Sequence, residues 1–464
     1  MFQKFANYLS QKPAQRHLFY LILAILAVLI NGYHYGTFDQ VFHLTFLKKF
    51  INPNLYPGDP FLTLRWYHFS FFWFPFIPLY KAGILEIGMV ILHVLTVYGT
   101  IWMFWSLSDL LFDDEKVNLL ISLAMLLPHV GLPGFQIIEF SLLNRTFVLP
   151  FLLGAIWLYL HENKLWAYFL LGVMFNFHVI YVIFVLCMFL LDELIRFQWS
   201  QWWKPVSRML IFIMAGLPVL IWRIQTGSGI DFSLRPEMLE LAANGLLYKV
   251  YFPIGTSLNS QGNFIAGIGT IWAFILGYRV APKNKKHSTI LHFFLAVGII
   301  VGISVITSYF LPITIILQMQ ILRAGVFWLY LSMLYLAYFV INKTKQDKSG
   351  KGSFLVLASS FVLTITPLIT IIFWYLVKLF KKIRLTPAWL ILAVIAFQVV
   401  TVVVGINSGL WEPGYYIYGP QSEWREIQEW ARVNTPINTM VIAPPHIFDQ
   451  YTPDWRVFSE RSAV

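Results

Sequence analysis

Asp39 opens the segment DQVFHLTFLKKFINPNLYPGDPF, residues 39–61, directly after the first long apolar run of the chain, and His43 follows four residues later. In a helix that spacing puts a carboxylate and an imidazole on one face, the residue types of general acid–base chemistry. The ordinary alternative is that Thr37 or Asp39 starts the helix, where an oxygen side chain or a negative charge is favoured. Asp59 lies in Tyr56-Pro57-Gly58-Asp59-Pro60, a turn sequence in which an Asp commonly bonds its own backbone. That bonding competes with a substrate-binding, catalytic or metal role for Asp59. Arg145 and Arg323 stand at the edges of other apolar runs, and His178 at an interruption within one.

The chain that must position these side chains has 464 residues, 58% of them hydrophobic and 18% aromatic, with only 12% charged. Such a composition cannot present an ordinary water-facing surface. Continuously apolar runs, many near the roughly 20 residues needed to cross a bilayer core, predict an all-α polytopic membrane protein rather than a barrel. The net charge of +11 could suggest nucleic acid, but fourteen of the basic residues sit in four short segments. These are Lys4, Lys12 and Arg16; Lys283, Lys285 and Lys286; Lys343, Lys345, Lys348 and Lys351; and Lys378, Lys381, Lys382 and Arg384, with Asp347 as the one acid among them. This is the positive-inside pattern, and it predicts no nucleic-acid partner. The single Cys187 forms no intramolecular disulfide, and the apolar run 18–35 ends without a small-residue cleavage site, so it is expected to be a retained first span.

If all four basic segments face the cytoplasm, the number of crossings between successive segments must be even. The runs 353–377 and 165–191 are then hairpins of two short helices, broken at Thr366-Pro367 and at Asn176-Phe177-His178. The count becomes about 13 spans with the N-terminus inside. On that path the loops 37–83, 131–145, 223–262 and 311–322, and everything after 405, lie outside, together with every candidate residue named above. Phe38, Val41, Phe42, Leu47, Phe50 and Ile51 form one stripe if 38–51 is helical, which predicts an interfacial helix dipping into the membrane surface. Residues 422–434 have helical periodicity and 440–443 read as a short strand running into Pro444-Pro445, the beginning of an external α/β segment over 406–464 that is expected to be either a very small domain or a truncated one.

A first span followed at once by a large external loop headed by an acid, then about a dozen spans and an external C-terminal part, resembles the GT-C superfamily of glycosyltransferases, which use polyprenyl-phosphate-linked sugars. The segments DQVFHLTFLKKFINPNLYPGDPF, LNRTFVLPFLL (residues 143–153), FNFH (175–178), LQMQILRAG (317–325) and EWARVNTP (429–436) are similar to an uncharacterised group of bacterial membrane proteins. The resemblance implies that Asp39 acts as base toward the acceptor and that Glu139 is a second acid. Inverting transfer needs a carboxylate to take the acceptor proton while phosphate leaves. A departing lipid phosphate needs fixed positive charge, for which Arg145 and Arg323 are candidates against the simpler reading of snorkelling to headgroups. Arg223 and Arg235 are weaker ones. His178 would point into the same site or serve as a hydrogen-bonded structural residue, and Glu86 and His93 are polar residues within the second span. Two acids alone would hold a divalent metal only with further ligands. The implied location is the bacterial inner membrane, with lipid and a polyprenyl-phosphate sugar as partners.

Two other classes compete with transfer. A transporter or flippase would show matching broken helices in two related halves, and no internal repeat is evident. A membrane protein with this fold and no chemistry is the third class.

Overall fold

A computed structural model describes residues 2–66, 68–132, 134–226, 231–243, 248–253, 258–345, 350–383, 387–407, 411–416, 422–443 and 453–463. Asp347, Lys348, Arg384 and Pro444-Pro445 lie outside the described residues. Among the described residues the protein is built almost wholly of helices, with four two-residue strands. Among the described residues, six helices are long and apolar enough to cross a membrane: Pro13–Asn31, Leu85–Phe112, Gln261–Val280, Lys285–Tyr309, Ile321–Lys345 and Pro387–Asn407. A seventh candidate is the pair Trp203–Ala215 and Leu217–Gln225, bent by 66° at Gly216. The expected count of about 13 exceeds these seven, because the remaining apolar helices are shorter than the ~30 Å core requires. Ile321–Lys345 is the central helix, with 94% of its apolar window buried, whereas Pro387–Asn407 is peripheral, with 11%. At Gly277 an added Cβ would lie 2.2 Å from Tyr335 O, so glycine is what lets the neighbouring helix approach the central one.

Both expected helix breaks are present. Lys164–Phe175 and Val179–Ile195 are separated at residues 176–178, and Gly350–Leu363 and Pro367–Ile383 at 364–366. Interrupting a helix at membrane depth frees backbone groups that need partners. Asn176 supplies them for two breaks at once: its amide donates to Gly172 O and Ala215 O and accepts from Val219 N. The break beside His178 and the bend at Gly216 are thereby stitched together. A third interruption was not expected. Glu115–Ala124 stops after ten residues, His129 Nε2 donates to Ala124 O at 2.7 Å, and much of the non-helical stretch that follows is buried, including Leu132, Phe135, Ile137 and Ile138. Irregular backbone inside an apolar bundle is tolerated where protein surrounds it, and this stretch carries Glu139.

Two of the basic segments, around Lys285 and Lys286 and around Lys345, meet the acids and helix ends near residues 110–115 and 162. Lys345 pairs with Asp114, Lys286 Nζ donates to Leu110 O, and Lys285 pairs with Glu162 at 2.8 Å. The acids at 113–115 also have local roles: Asp113 closes one helix in the left-handed conformation, and the Asp114 carboxylate caps the next by accepting from Lys116 N.

The helix Gln40–Ile51 forms as the apolar spacing suggests, and much of it is packed against protein. Val41, Leu44, Leu47, His43 and even Lys48 are buried, and only its end, at Phe50, is widely exposed. The 3-10 turn Pro60–Trp66 contacts it, as does the short C-terminal helix Trp455–Ser459. Of the expected stripe, Val41 and Leu47 are buried in protein, Phe38, Phe42 and Ile51 are half-buried, and Phe50 is exposed. Lys48 reaches Val457 O and pairs with Glu460 at 2.9 Å, which accounts for its burial. The C-terminal segment is a small α/β unit: Ser422–Asn434 followed by a parallel pair, Met440–Val441 with Ser462–Ala463. A second parallel pair, Tyr33–His34 with Tyr415–Tyr416, ties the segment to the end of the first span.

Candidate functional site

Arg145 lies in the first turn of Asn144–Leu160, where Thr146 Oγ1 accepts from Leu143 N to fix the helix start. Its side chain is 2% exposed and points back across the preceding loop. Nε and Nη2 donate to the two oxygens of Glu139, each at 2.6 Å, and Nη1 donates to Asp39 Oδ2. A planar fork gripping one carboxylate and touching a second is a geometry arginine offers and lysine does not. The Phe38 and Phe135 rings flank the guanidinium, with centroids 5.7 and 5.1 Å from Cζ. Arg323 sits against the same Phe135 ring, also at 5.1 Å. Among the described residues Arg323 has no ion pair, and its buried Nε has no hydrogen-bond partner. Four of the residues singled out in the sequence, Asp39, Glu139, Arg145 and Arg323, therefore converge.

Asp39 precedes Gln40–Ile51 at the cap position, yet its side chain caps nothing. The carboxylate turns to Arg145 instead, so the helix-start alternative does not account for it. Its side chain is 25% exposed against 8% for Glu139, and Oδ1 makes no hydrogen bond among the described residues. Burial pushes its carboxyl up, but Arg145, Arg323 and the hydrogen bond from Arg145 outweigh burial and hold it below the ordinary carboxylate range. Asp39 is thus an ionised group with one free oxygen, and Glu139 is committed to holding Arg145.

His43 does not pair with Asp39. It is 1% exposed and edge-on to Phe72 at 4.7 Å and to His68 at 5.1 Å, with no hydrogen bond at either ring nitrogen. Burial, reinforced by His68 and nearby cations, holds it neutral, well below the usual histidine range. His68, which the sequence did not single out, is pushed down to about 4 by burial, with Asp39 opposing and Arg65 assisting. The sign follows directly: between about 6.5 and about 4 the unfolded chain binds protons that native His68 and His43 refuse. Stability is expected to fall over that window as pH drops, by about 1 kcal/mol per pH unit per histidine. Thermal unfolding in detergent across pH 4–8 checks this, and His68→Phe should flatten the slope.

His178 caps Val179–Ile195, its Nδ1 accepting from Tyr181 N at 3.1 Å. That is the structural role, although the charges of Arg145 and Arg323 reach it. Asp59 is further from chemistry. It accepts from Phe61 N, from Ala463 N and from Arg456 at 2.7 and 3.1 Å, so both oxygens are occupied and it is 5% exposed. It is a clasp on the C-terminal segment, and the substrate-binding expectation for Asp59 is set aside. Arg456→Ala should leave that buried carboxylate unpaired at a cost of about 3–5 kcal/mol. Limited proteolysis is expected to cut the loop and the C-terminal segment together in this variant. Glu86 faces Arg425 at 3.7 Å and His93 lies against Tyr33, so both are absorbed locally. Arg223 sits over Phe69, and Arg235 pairs with Asp231 at 59% exposure.

A divalent ion does not suit these donors. The Arg145 guanidinium fills the space between Asp39 and Glu139, and among the described residues no group of three or more His, Cys, Asp or Glu side chains converges. What remains is a carboxylate with a free oxygen beside an unpaired guanidinium, set in an aromatic wall. No family model matches the chain, and no curated protein or solved structure matches it, so the reading of this site rests on its own residues.

Proposed function

We propose that the Asp39–Arg145–Glu139 cluster with Arg323 is the transfer site of a GT-C-like glycosyltransferase. In this reading it moves a sugar from a polyprenyl phosphate to an acceptor on the outer side of the bacterial inner membrane. The observation that carries it is the division of labour between the two arginines. Arg145 is saturated by carboxylates and sets Asp39, while Arg323 beside it forms no ion pair among the described residues, feels Asp39 only at longer range, and suits a phosphate. Asp39 Oδ1 takes the acceptor hydroxyl proton as that oxygen bonds to the anomeric carbon. The anomeric carbon–oxygen bond breaks, its electron pair leaves with the prenyl-linked phosphate, and Arg323 meets the departing charge. Because Asp39 is a weak base, the proton moves only as the acceptor oxygen becomes acidic on bonding.

The path of about 13 crossings, N-terminus inside, suits this reading if Glu115–Ala124, the paired short helices at 164–195 and 350–383, and Asn144–Leu160 count as crossings beside the seven candidates above. The end that gathers Lys285, Lys286 and Lys345 is then cytoplasmic and the Asp39 cluster external. Two broken helices lying side by side, at Asn176 and Gly216, would also suit a flippase. Glycolipid analysis of membranes with and without the protein separates the readings. Arg323→Gln should leave folding intact and lower product about 100-fold, in line with losing one charge-stabilising donor. Lipid-linked sugar that crosses the membrane without being transferred would favour the flippase.

A further inference from the structure

At the opposite end of Asn144–Leu160 from Arg145 lies a cleft of about 550 Å³. Lys164, Arg196, Lys204, Arg208 and Lys285 line it. Glu162 and Glu193 are the acids in its wall. The lining therefore carries three more positive than negative charges. Several of these cations are fixed by the protein rather than loose on its surface. Arg208 pairs with Glu193 at 2.7 Å. Arg196 is held by Asp192 at 2.8 Å and by Ser288 and Thr289. Lys204 Nζ donates to the neutral Gln201 Oε1 and lies over the Trp203 ring at 5.8 Å, with no ion pair among the described residues, and Lys164 stands 3.8 Å from Asp192. With Asp192 behind the wall, the five cations meet three carboxylates, so an excess of two positive charges is left over by the internal pairs.

The rim tells what kind of anion fits. Trp199, Trp202 and Trp203 are 82%, 56% and 56% exposed, and Leu194 and Ile195, at the end of the adjoining apolar helix, are 70% and 53% exposed. Tryptophan beside apolar helix ends is the side chain of the headgroup layer, and a small soluble anion would have no use for such a rim. We propose that this cleft binds the phosphate headgroup of an anionic phospholipid of the membrane in which the protein sits, with the acyl chains running along the exposed apolar end of Val179–Ile195. Basic pockets between helices at a membrane surface are built for such headgroups. The inference does not rest on the glycosyl-transfer reading, since the cleft shares no residue with the Asp39 cluster.

Native mass spectrometry of the detergent-purified protein, titrated with phosphatidylglycerol, phosphatidylcholine or inorganic phosphate, tests it. Phosphatidylglycerol is expected to remain bound and to raise the unfolding temperature, while phosphatidylcholine and inorganic phosphate at equal concentration do neither. One cation near an anionic headgroup is worth about a fivefold change in binding, so the double variant Lys204→Gln/Lys285→Gln should weaken retention at least about tenfold. Glu162→Gln, which removes an acid from the same wall and frees Lys285, should strengthen it; this opposite sign excludes simple misfolding as the cause. Equal retention of phosphatidylcholine, an equal effect of inorganic phosphate, or undiminished binding by the double variant would overturn the proposal.

Discussion

Arg145→Met is expected to destabilise the protein by about 3–5 kcal/mol, the cost of stranding a buried carboxylate without its partner. Glu139 bears most of that loss, because both its oxygens are engaged by Arg145 and its side chain is 8% exposed. Asp39, at 25%, is partly relieved by water. The cause can be isolated by adding Glu139→Gln to Arg145→Met, which removes the orphaned charge and should restore much of the stability in a detergent unfolding assay. If the double variant is as unstable as the single one, packing of the guanidinium between Phe38 and Phe135 is the larger contribution. Arg145→Lys is expected to fall between, since an ammonium cannot grip Glu139 through two parallel bonds while reaching Asp39.

The second large effect is on turnover. On the proposed transfer reading, Asp39→Asn keeps the shape of the side chain and removes the proposed proton acceptor, so product formation should fall by about 10²–10⁴-fold. The unfolding temperature should move far less than in Arg145→Met, because Glu139 still neutralises Arg145. The pairing of readouts is what gives the test force: loss of glycolipid product with a folded, membrane-inserted protein supports the base role, and retained product removes it. Substrate affinity should survive the change if Arg323 holds the phosphate. Arg323→Gln then shows the reverse emphasis, a weakened hold on the donor.

Much of the architecture was legible in the chain. Apolar runs mark the spans, and Asn176 and Pro367 mark helix breaks because one can bond freed backbone and the other cannot continue a preceding turn. Asp39, Arg145 and Arg323 stood out because each is a charge at the edge of an apolar run, which is costly unless paired or used, whereas Glu139 was reached only through the GT-C resemblance. Contacts between residues far apart were not legible. The stripe on Gln40–Ile51 has the periodicity of a surface helix, and nothing near it shows that Trp455–Ser459 packs against it. The turn around Asp59 explains an Asp without further help, so Arg456, 397 residues away, left no trace. His68 has no patterned neighbour in sequence and enters the site only through the fold of residues 60–72.

The clasp between Asp59 and Arg456 also has a timetable. At about 5–20 residues per second of synthesis, a separation of 397 residues means tens of seconds between the emergence of the two partners. During that interval the loop headed by Asp39 lacks the C-terminal helix it packs against, and Lys48 and Asp59 have no counter-ions from it. Nascent chains are therefore expected to expose this loop to protease until Trp455–Ser459 has emerged, so the surroundings of the candidate site are completed long after Asp39 itself is made.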